Sequence, residues 1–401
     1  MNENEIGRFY SRSAEKLSGV MTSFKRFSYS DVNCENRLIG LKGPRGVGKT
    51  TLLQQKAKDS GEELRRTLYV SLDSVWIDAK GVYELAEYHV RNGGTRLILD
   101  EVHYVKEWQR VLKNLYDDFK ELKIAYSGSS LLKLKANEGD LSRRHIGYTL
   151  PGLSFREFLK LEGLLSAEPI PLETLLKDHV EIAADICSGI KILPLFDRYF
   201  KSGYYPFYRE DGCDYLERVM QSVNQTLDSD WPSVEEVSPD TIRKARKMLR
   251  ILAELPPQTP KMTALYSQLD TERRQGLKIL YALERAGLVK LLAADYEALD
   301  NLCSPEKIYC GDTNLLYSLS PTPDIGTARE TFFMNQLSVA HRLTYPKKGD
   351  FFVDDRYLFE IGGKGKKFRQ IKDIPDSFVV NDGVEIGFGN KIPLWLFGFL
   401  Y

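Results

Sequence analysis

Little in this sequence is extreme, and what is missing excludes whole classes of protein. Cysteine is scarce: Cys34, Cys187, Cys213, Cys303 and Cys310 are odd in number, and no two form a C-x-x-C pair. That excludes a disulfide framework or a zinc site and fits reduced thiols in a cytosol. No apolar stretch approaches the ~20 residues that span a bilayer. The opening residues, Met1-Asn2-Glu3-Asn4-Glu5, are polar and acidic, unlike a secretory leader. Net charge is absent as well, with Lys plus Arg and Asp plus Glu at 56 each, so any basic surface must be local. Repeats and low-complexity tracts are lacking. The expectation is a soluble, cytoplasmic chain with no membrane partner, whose 401 residues predict two or three domains.

What is present is sharper. Gly43-Pro44-Arg45-Gly46-Val47-Gly48-Lys49-Thr50 is a complete G-x-x-x-x-G-K-[ST] phosphate loop, followed by Thr51. Arg37 to Lys42 before it reads as a buried strand, and Thr51 to Ala57 after it as a helix start, the context this motif requires. The glycines let backbone N–H groups turn inward around phosphates, and the helix N-terminus adds partial positive charge. Lys49 is then predicted to reach the β- and γ-phosphates, and Thr50 to ligate Mg²⁺. Chance matches in a chain this long have odds on the order of a per cent. The predicted ligands are ATP and Mg²⁺.

A second apolar run, Thr95 to Leu99, ends in Asp100-Glu101. About fifty residues after a phosphate loop, such a run reads as a Walker B strand, with Asp100 a metal ligand and Glu101 the residue that orients or deprotonates water. A third strand, Leu122 to Tyr126, leads into Ser127-Gly128-Ser129-Ser130. Hydroxyls at the carboxyl end of a parallel strand face the ligand crevice, so a serine there, with Ser129 taken as the candidate, contacts phosphate or water. A helix N-cap is the alternative. Asp100-Glu101-Val102-His103 also spells a helicase D-E-x-H box, but no second core with an arginine motif accompanies it. Downstream, Arg144, with Arg143 second, is the candidate to face charge developing on the γ-phosphate, in cis or in trans.

The rest of the chain changes character. Strands alternate with helices to about Leu150, which predicts a parallel α/β sheet. From Ser154 to about Trp231 the pattern is helical and reads as a lid. Thr241 to Leu255, Met262 to Leu269 and a helix capped by Asp270-Thr271 precede two short strands, Leu288 to Leu292 and Lys307 to Cys310. Three helices and a β-wing predict a winged helix-turn-helix. Thr241 to Lys290 holds eleven Lys/Arg against four Asp/Glu. Arg273, Arg274 and Lys278 open its third helix, where duplex DNA is contacted in such folds. A solvated face, or docking to a protein, is the other reading. In the C-terminal part Glu330 is expected to open a helix, while Asp350 and Glu360 lie on neighbouring strands. Acids so arranged gather Mg²⁺ in restriction-endonuclease-like folds. The expected E-x-K is absent, since Glu360-Ile361-Gly362 stands in its place with Lys364 and Lys366 beyond. A decayed site kept as a fold carries more weight.

This order of motifs resembles a bacterial and archaeal family of AAA-like P-loop ATPases with a C-terminal nuclease-like domain. The residues that carry the resemblance are Gly43 to Thr50, Leu97 to Glu101 with Trp108, Ser127 to Ser130, Ser154 to Phe158, Arg329 to Phe333 and Phe359 to Lys364. It implies ATP binding and hydrolysis. The expected architecture is α/β: a P-loop ATPase core over 1–150, a helical lid over 151–235, a winged helix over 236–318 and a nuclease-like α/β domain over 319–401. Candidate partners beyond ATP are duplex DNA, a protein, or a second copy of the chain.

Overall fold

The computed structural model describes residues 1–73, 77–131, 144–211, 214–255, 262–294, 305–367 and 371–401. The chain forms two compact units. The first comprises Met1–Gly152 and Asp228–Glu236, the second Leu153–Leu227 and Val237–Tyr401.

Five parallel strands make the sheet of the first unit: β1 (Leu38–Gly43), β2 (Thr67–Ser71), β3 (Arg96–Asp100), β4 (Lys123–Ser129) and β5 (Ile146–Thr149), ordered β2-β3-β4-β1-β5. β1, β3 and β4 are almost wholly buried, as strands covered on both faces must be. Their crossovers carry the helices α2 (Lys49–Lys58), α3 (Ala79–Arg91) and α4 (Trp108–Asp118), and Leu68, Val70, Leu97, Leu99, Ile124, Leu85, Leu112 and Leu115 share one core. β4 runs further than the sequence suggested, so Ser127 and Ser129 lie within the strand rather than after it.

The N-terminal helix α1 (Glu3–Gly19) was not expected. Its signal is present, however. Asn2 and Glu5 form a capping box, and Ile6, Phe9, Ser13 and Leu17 are buried at helical spacing. Ser13 accepts the Tyr69 N–H at 2.9 Å, which ties α1 to β2.

In the second unit the helices Phe155–Leu161, Leu172–Gly189, Ile192–Lys201 and Tyr215–Gln225, expected as a lid, pack with the C-terminal part of the chain. Buried Asn314 explains much of this. Its Oδ1 accepts the N–H groups of Gly203 and Tyr204 at 2.8 Å each, and its Nδ2 donates to the carbonyls of Tyr199 and Phe200 at 3.1 Å. The basic segment forms helices Pro239–Glu254, Met262–Gln268 and Arg273–Arg285, then the antiparallel pair β6 (Val289–Leu292) and β7 (Lys307–Cys310). The third helix is capped at Glu272, not at Asp270-Thr271. The Pro256-Pro257 break lies outside the described residues. A mixed sheet follows, with β8 (Leu343–Thr344), β9 (Phe351–Val353), β10 (Tyr357–Gly363), β11 (Ser377–Asp382) and β12 (Lys391–Pro393) in the order β12-β11-β10-β9-β8. β10, β11 and β12 are parallel neighbours, and β8 and β9 add antiparallel pairs. Glu330 lies in mid-helix (Ile325–Leu337) rather than opening it, because Asp324 takes the N-cap.

Candidate functional site

Strand register gathers the predicted site. Gly43 is level with Ser129 across β1 and β4, and Ser71 is level with Asp100 across β2 and β3. In a parallel sheet the carboxyl ends of all strands meet at one edge, where ligands bind. The loop from Pro44 to Gly48 leaves β1 at this edge and enters α2 at Lys49. Gly46 and Gly48 hold φ of 82° and 95°, a left-handed backbone that glycine adopts without a steric penalty. Val47 is buried, and its carbonyl accepts from Arg26 at 2.7 Å. The same guanidinium donates to the carbonyls of Pro151 and Gly152 at 2.9 and 2.7 Å, pinning the loop to the chain after β5. Nothing in the sequence marked Arg26 for this, since its three acceptors are backbone atoms far apart in the chain.

The Lys49 ammonium is buried and donates to the carbonyls of Gly43 and Pro44 at 3.0 Å each. Thr50 donates to Asp100 Oδ2 at 2.8 Å, Tyr69 donates to the same oxygen at 2.7 Å, and the Ser127 hydroxyl donates to Oδ1. Burial and the Asp100 carboxylate push the Tyr69 phenol far up, so it remains a donor. Thr50 and Asp100 thus present adjacent hard oxygens. That donor set fits Mg²⁺, which takes one or two protein ligands and completes its shell with phosphate and water. Thr51 is exposed on the first turn of α2. Residues 35–159 match a family model described as an AAA domain. This segment is an AAA-like P-loop ATPase domain.

Relatives of the AAA-like domain are distant. The uncharacterized protein MJ1637 of Methanocaldococcus jannaschii is 29% identical over 295 residues, which cover 68% of this chain and 62% of that protein. The match therefore spans less than two thirds of the relative's length. Among solved structures, AMPPCP-bound DnaA from Aquifex aeolicus is 16% identical over 71% of this chain and 89% of its own, with a TM-score of 0.27. PCH-2 of C. elegans is 14% identical over 71% and 69%, with a TM-score of 0.25.

Glu101, next after β3, has φ 58° and ψ 50°. A non-glycine residue in this region costs about 1–2 kcal/mol, and such strain concentrates at functional sites. Its N–H donates to Ser127 Oγ at 3.2 Å, and its Oε2 stands 3.3 Å from His103 Nδ1. Ser129 contributes its backbone: its N–H points at the same Nδ1, at 3.4 Å. Sequence reasoning missed Asp230, which is buried, accepts from Tyr104 at 3.0 Å, and stands 3.4 Å from both Arg45 and His103 Nε2. Burial pushes its carboxyl up, but His103 and Arg45 outweigh that and hold it below the usual range. For Arg45, burial is likewise opposed by Asp230 and Glu101, which raise its guanidinium.

Arg144 is not brought to this edge. β5 is parallel to β1 with Ile146 level with Ile39, so residue 144 precedes the entering end of the strand. There its guanidinium pairs with Asp117 at 3.0 Å, near the end of α4. The structure therefore does not bring it together with the phosphate loop of its own chain. Arg143 lies outside the described residues.

Of the acids in the C-terminal part, Glu330 and Asp350 share one lysine and Glu360 pairs with another. Lys307 donates to Glu330 at 2.9 Å and reaches Asp350 at 3.4 Å, Tyr309 donates to Glu330 at 2.7 Å, and Lys366 pairs with Glu360 at 2.8 Å. Among the described residues, no group of three or more His, Cys, Asp or Glu is arranged to hold a metal ion. Also among them, no helix is long and apolar enough to cross a membrane, and Cys34, Cys187 and Cys310 are free thiols.

Proposed function

We propose that this chain is an Mg²⁺-dependent ATPase whose nucleotide domain drives or gates a conformational change in the second unit. The observation that carries the reading is the convergence of Lys49, Thr50, Asp100 and Glu101 on one sheet edge. Gly43 to Thr51 would cradle the phosphates of ATP, and Thr50 and Asp100 would hold the Mg²⁺. A bound Mg²⁺ neutralises developing phosphate charge. Glu101 orients and deprotonates the attacking water, and Lys49 holds the phosphates in line. Arg144 lies at the opposite edge, so any action on a γ-phosphate would be on that of a second copy.

The segment Pro239 to Cys310 has the helix and strand order of a winged helix, and Arg273, Arg274 and Lys278 are all exposed on its third helix. An exposed basic face of this kind suits duplex DNA or an acidic protein surface, and the response of turnover to DNA separates the two. A lid role for 153–227 and a nuclease-like ancestry for the mixed sheet belong to the same proposal. The lysines seated among Glu330, Asp350 and Glu360 support a structural remnant over an ATP-regulated nuclease.

The experiment is steady-state phosphate release by wild type and Glu101→Gln, each with and without duplex DNA. Glu101→Gln is expected to keep ATP binding and to lose about 10²-fold or more of the release rate. Stimulation by DNA that fades steeply with salt identifies a DNA-coupled ATPase. Turnover indifferent to DNA identifies a protein-partnered switch, and Glu101→Gln releasing phosphate at the wild-type rate overturns the site.

A further inference from the structure

Three facts about the chain meet at Asp230. First, it belongs to a stretch of nine residues, Asp228–Glu236, that returns to the nucleotide-binding unit, while Leu227 before it and Val237 after it belong to the other unit. Second, it ends a turn of π-helix, Thr226–Asp230, a rare form that marks functional sites more often than chance. Third, one of its oxygens, Oδ1, is the common neighbour of Arg45 in the phosphate loop, Tyr104 and His103. Neither Asp230 nor His103 belongs to the set that would hold phosphate, Mg²⁺ or the attacking water.

His103 is fully buried, with Nε2 facing Asp230 and Nδ1 facing both Glu101 Oε2 and the Ser129 N–H. A glutamate side chain has three torsions, and one that must aim at a water needs them fixed. The ring can fix the carboxylate only if the ring is itself fixed, and Asp230 Oδ1 stands 3.4 Å from its far nitrogen, near enough to orient the ring by charge and contact. This is the logic of a base oriented by a third group: with each ring nitrogen donating to one carboxylate, Nδ1 has no lone pair for the Ser129 N–H, which is then only a 3.4 Å neighbour. Asp230 in turn tolerates burial because a guanidinium, an imidazole and a phenol surround it.

We propose that Asp230 and His103 are positioning residues for Glu101, and that the returning segment makes ATP hydrolysis conditional on its being seated. The proposal rests on the ATPase reading. Withdrawing residues 228–236 removes the carboxylate that His103 Nε2 and Arg45 share as a neighbour, so the water-activating residue loses its orientation. Both ends of the segment continue into the second unit, so a rearrangement there acts on turnover through nine residues of backbone.

The test uses the full chain as wild type, Asp230→Ala, Asp230→Asn, His103→Phe and the double variant Asp230→Ala/His103→Phe. Turnover number, affinity for a non-hydrolysable ATP analogue and melting temperature are measured for each. Asp230→Ala and His103→Phe are each expected to lower kcat by between about tenfold and 10²-fold, the cost of a small misplacement, with analogue affinity held within about threefold. The double variant falls no lower than the worse single, because both act through one group. Asp230→Asn keeps an acceptor for Nε2 and restores kcat to within a few-fold of wild type. Wild-type turnover in Asp230→Ala, multiplying losses in the double variant, or affinity falling in step with kcat each overturn the proposal. Should Asp230→Ala fail to fold, His103→Phe decides, since it keeps the ring and removes both nitrogens. Wild-type turnover in that variant overturns the proposal as well. Wild type without Glu101-dependent phosphate release sinks the ATPase reading and this one together. Glu101-dependent release untouched by Asp230→Ala sinks this one alone.

Discussion

The Lys49 ammonium is solvated by carbonyls, not neutralised: its two acceptors, Gly43 and Pro44, are backbone oxygens of the loop it belongs to. A buried cation held this way favours an anion beside it, and the turned N–H groups of residues 46–48 add to the pull. Lys49→Ala is therefore expected to weaken ATP binding by about 10²-fold or more, since hydrogen bonds to charged groups contribute roughly 1.5–3 kcal/mol each. Stability should change by less than about 1 kcal/mol, because the carbonyls released can turn to water. Titration calorimetry and a denaturant curve read the two effects, and wild-type affinity would remove Lys49 from the site. In the C-terminal cluster a lysine plays the opposite part. Lys307 sits between Glu330 and Asp350, and there the charge is neutralised internally.

At the scale of single elements, the third basic helix carries a pH signature. Glu284, near its end, is half-buried, and desolvation pushes its carboxyl up to about 7 against the help of Lys290. Lys290 on β6 is itself pushed down by burial, and it donates to Ser338 at 2.7 Å. Between the ordinary carboxyl value of 4.5 and about 7 the folded chain then binds more proton than the unfolded chain. The stability this group contributes is fully present below 4.5 and is lost as pH rises through 7. Glu284→Gln cannot ionise, so its stability relative to wild type should rise by on the order of 2 kcal/mol across that window. Urea unfolding at pH 4.5 and pH 8 checks this, and a difference that is flat with pH would mean the carboxylate is solvated.

Elements also explain what was legible in the sequence. The phosphate loop and the Asp100 strand could be read because each is a contiguous run whose neighbours in sequence are its neighbours in function. The helices and strands of 239–310 were legible for the same reason, through apolar periodicity. The Asp230, His103 and Arg45 cluster was not, because it joins residues 45, 103 and 230, which only the folded chain brings together. Whether Arg144 stands beside its own chain's loop was not legible either, because spacing along a sequence does not say at which end of a strand a residue stands.

At the scale of the whole molecule, the chain passes between its two units at three places, after Gly152, Leu227 and Glu236. Every residue proposed to touch ATP or Mg²⁺ belongs to the first unit. A ligand that binds only the folded form stabilises what it binds by RT ln(1 + [L]/Kd), about 2.7 kcal/mol at a hundredfold excess over Kd. Scanning calorimetry with and without Mg²⁺ and a non-hydrolysable ATP analogue therefore separates two ways of building the molecule. If the units unfold independently, two transitions appear and only one moves up. If the three crossings make them one cooperative body, a single transition moves, by less for the same binding energy because more residues melt together. The returning segment at Asp230 predicts a specific intermediate case. Wild type should couple the transitions, and Asp230→Ala, whose Arg45 and His103 lose their shared carboxylate, should let the second unit melt at an unchanged temperature whether or not nucleotide is bound. Two transitions already independent in wild type would mean that nucleotide binding is not transmitted through stability. The segment would then act on catalytic geometry alone.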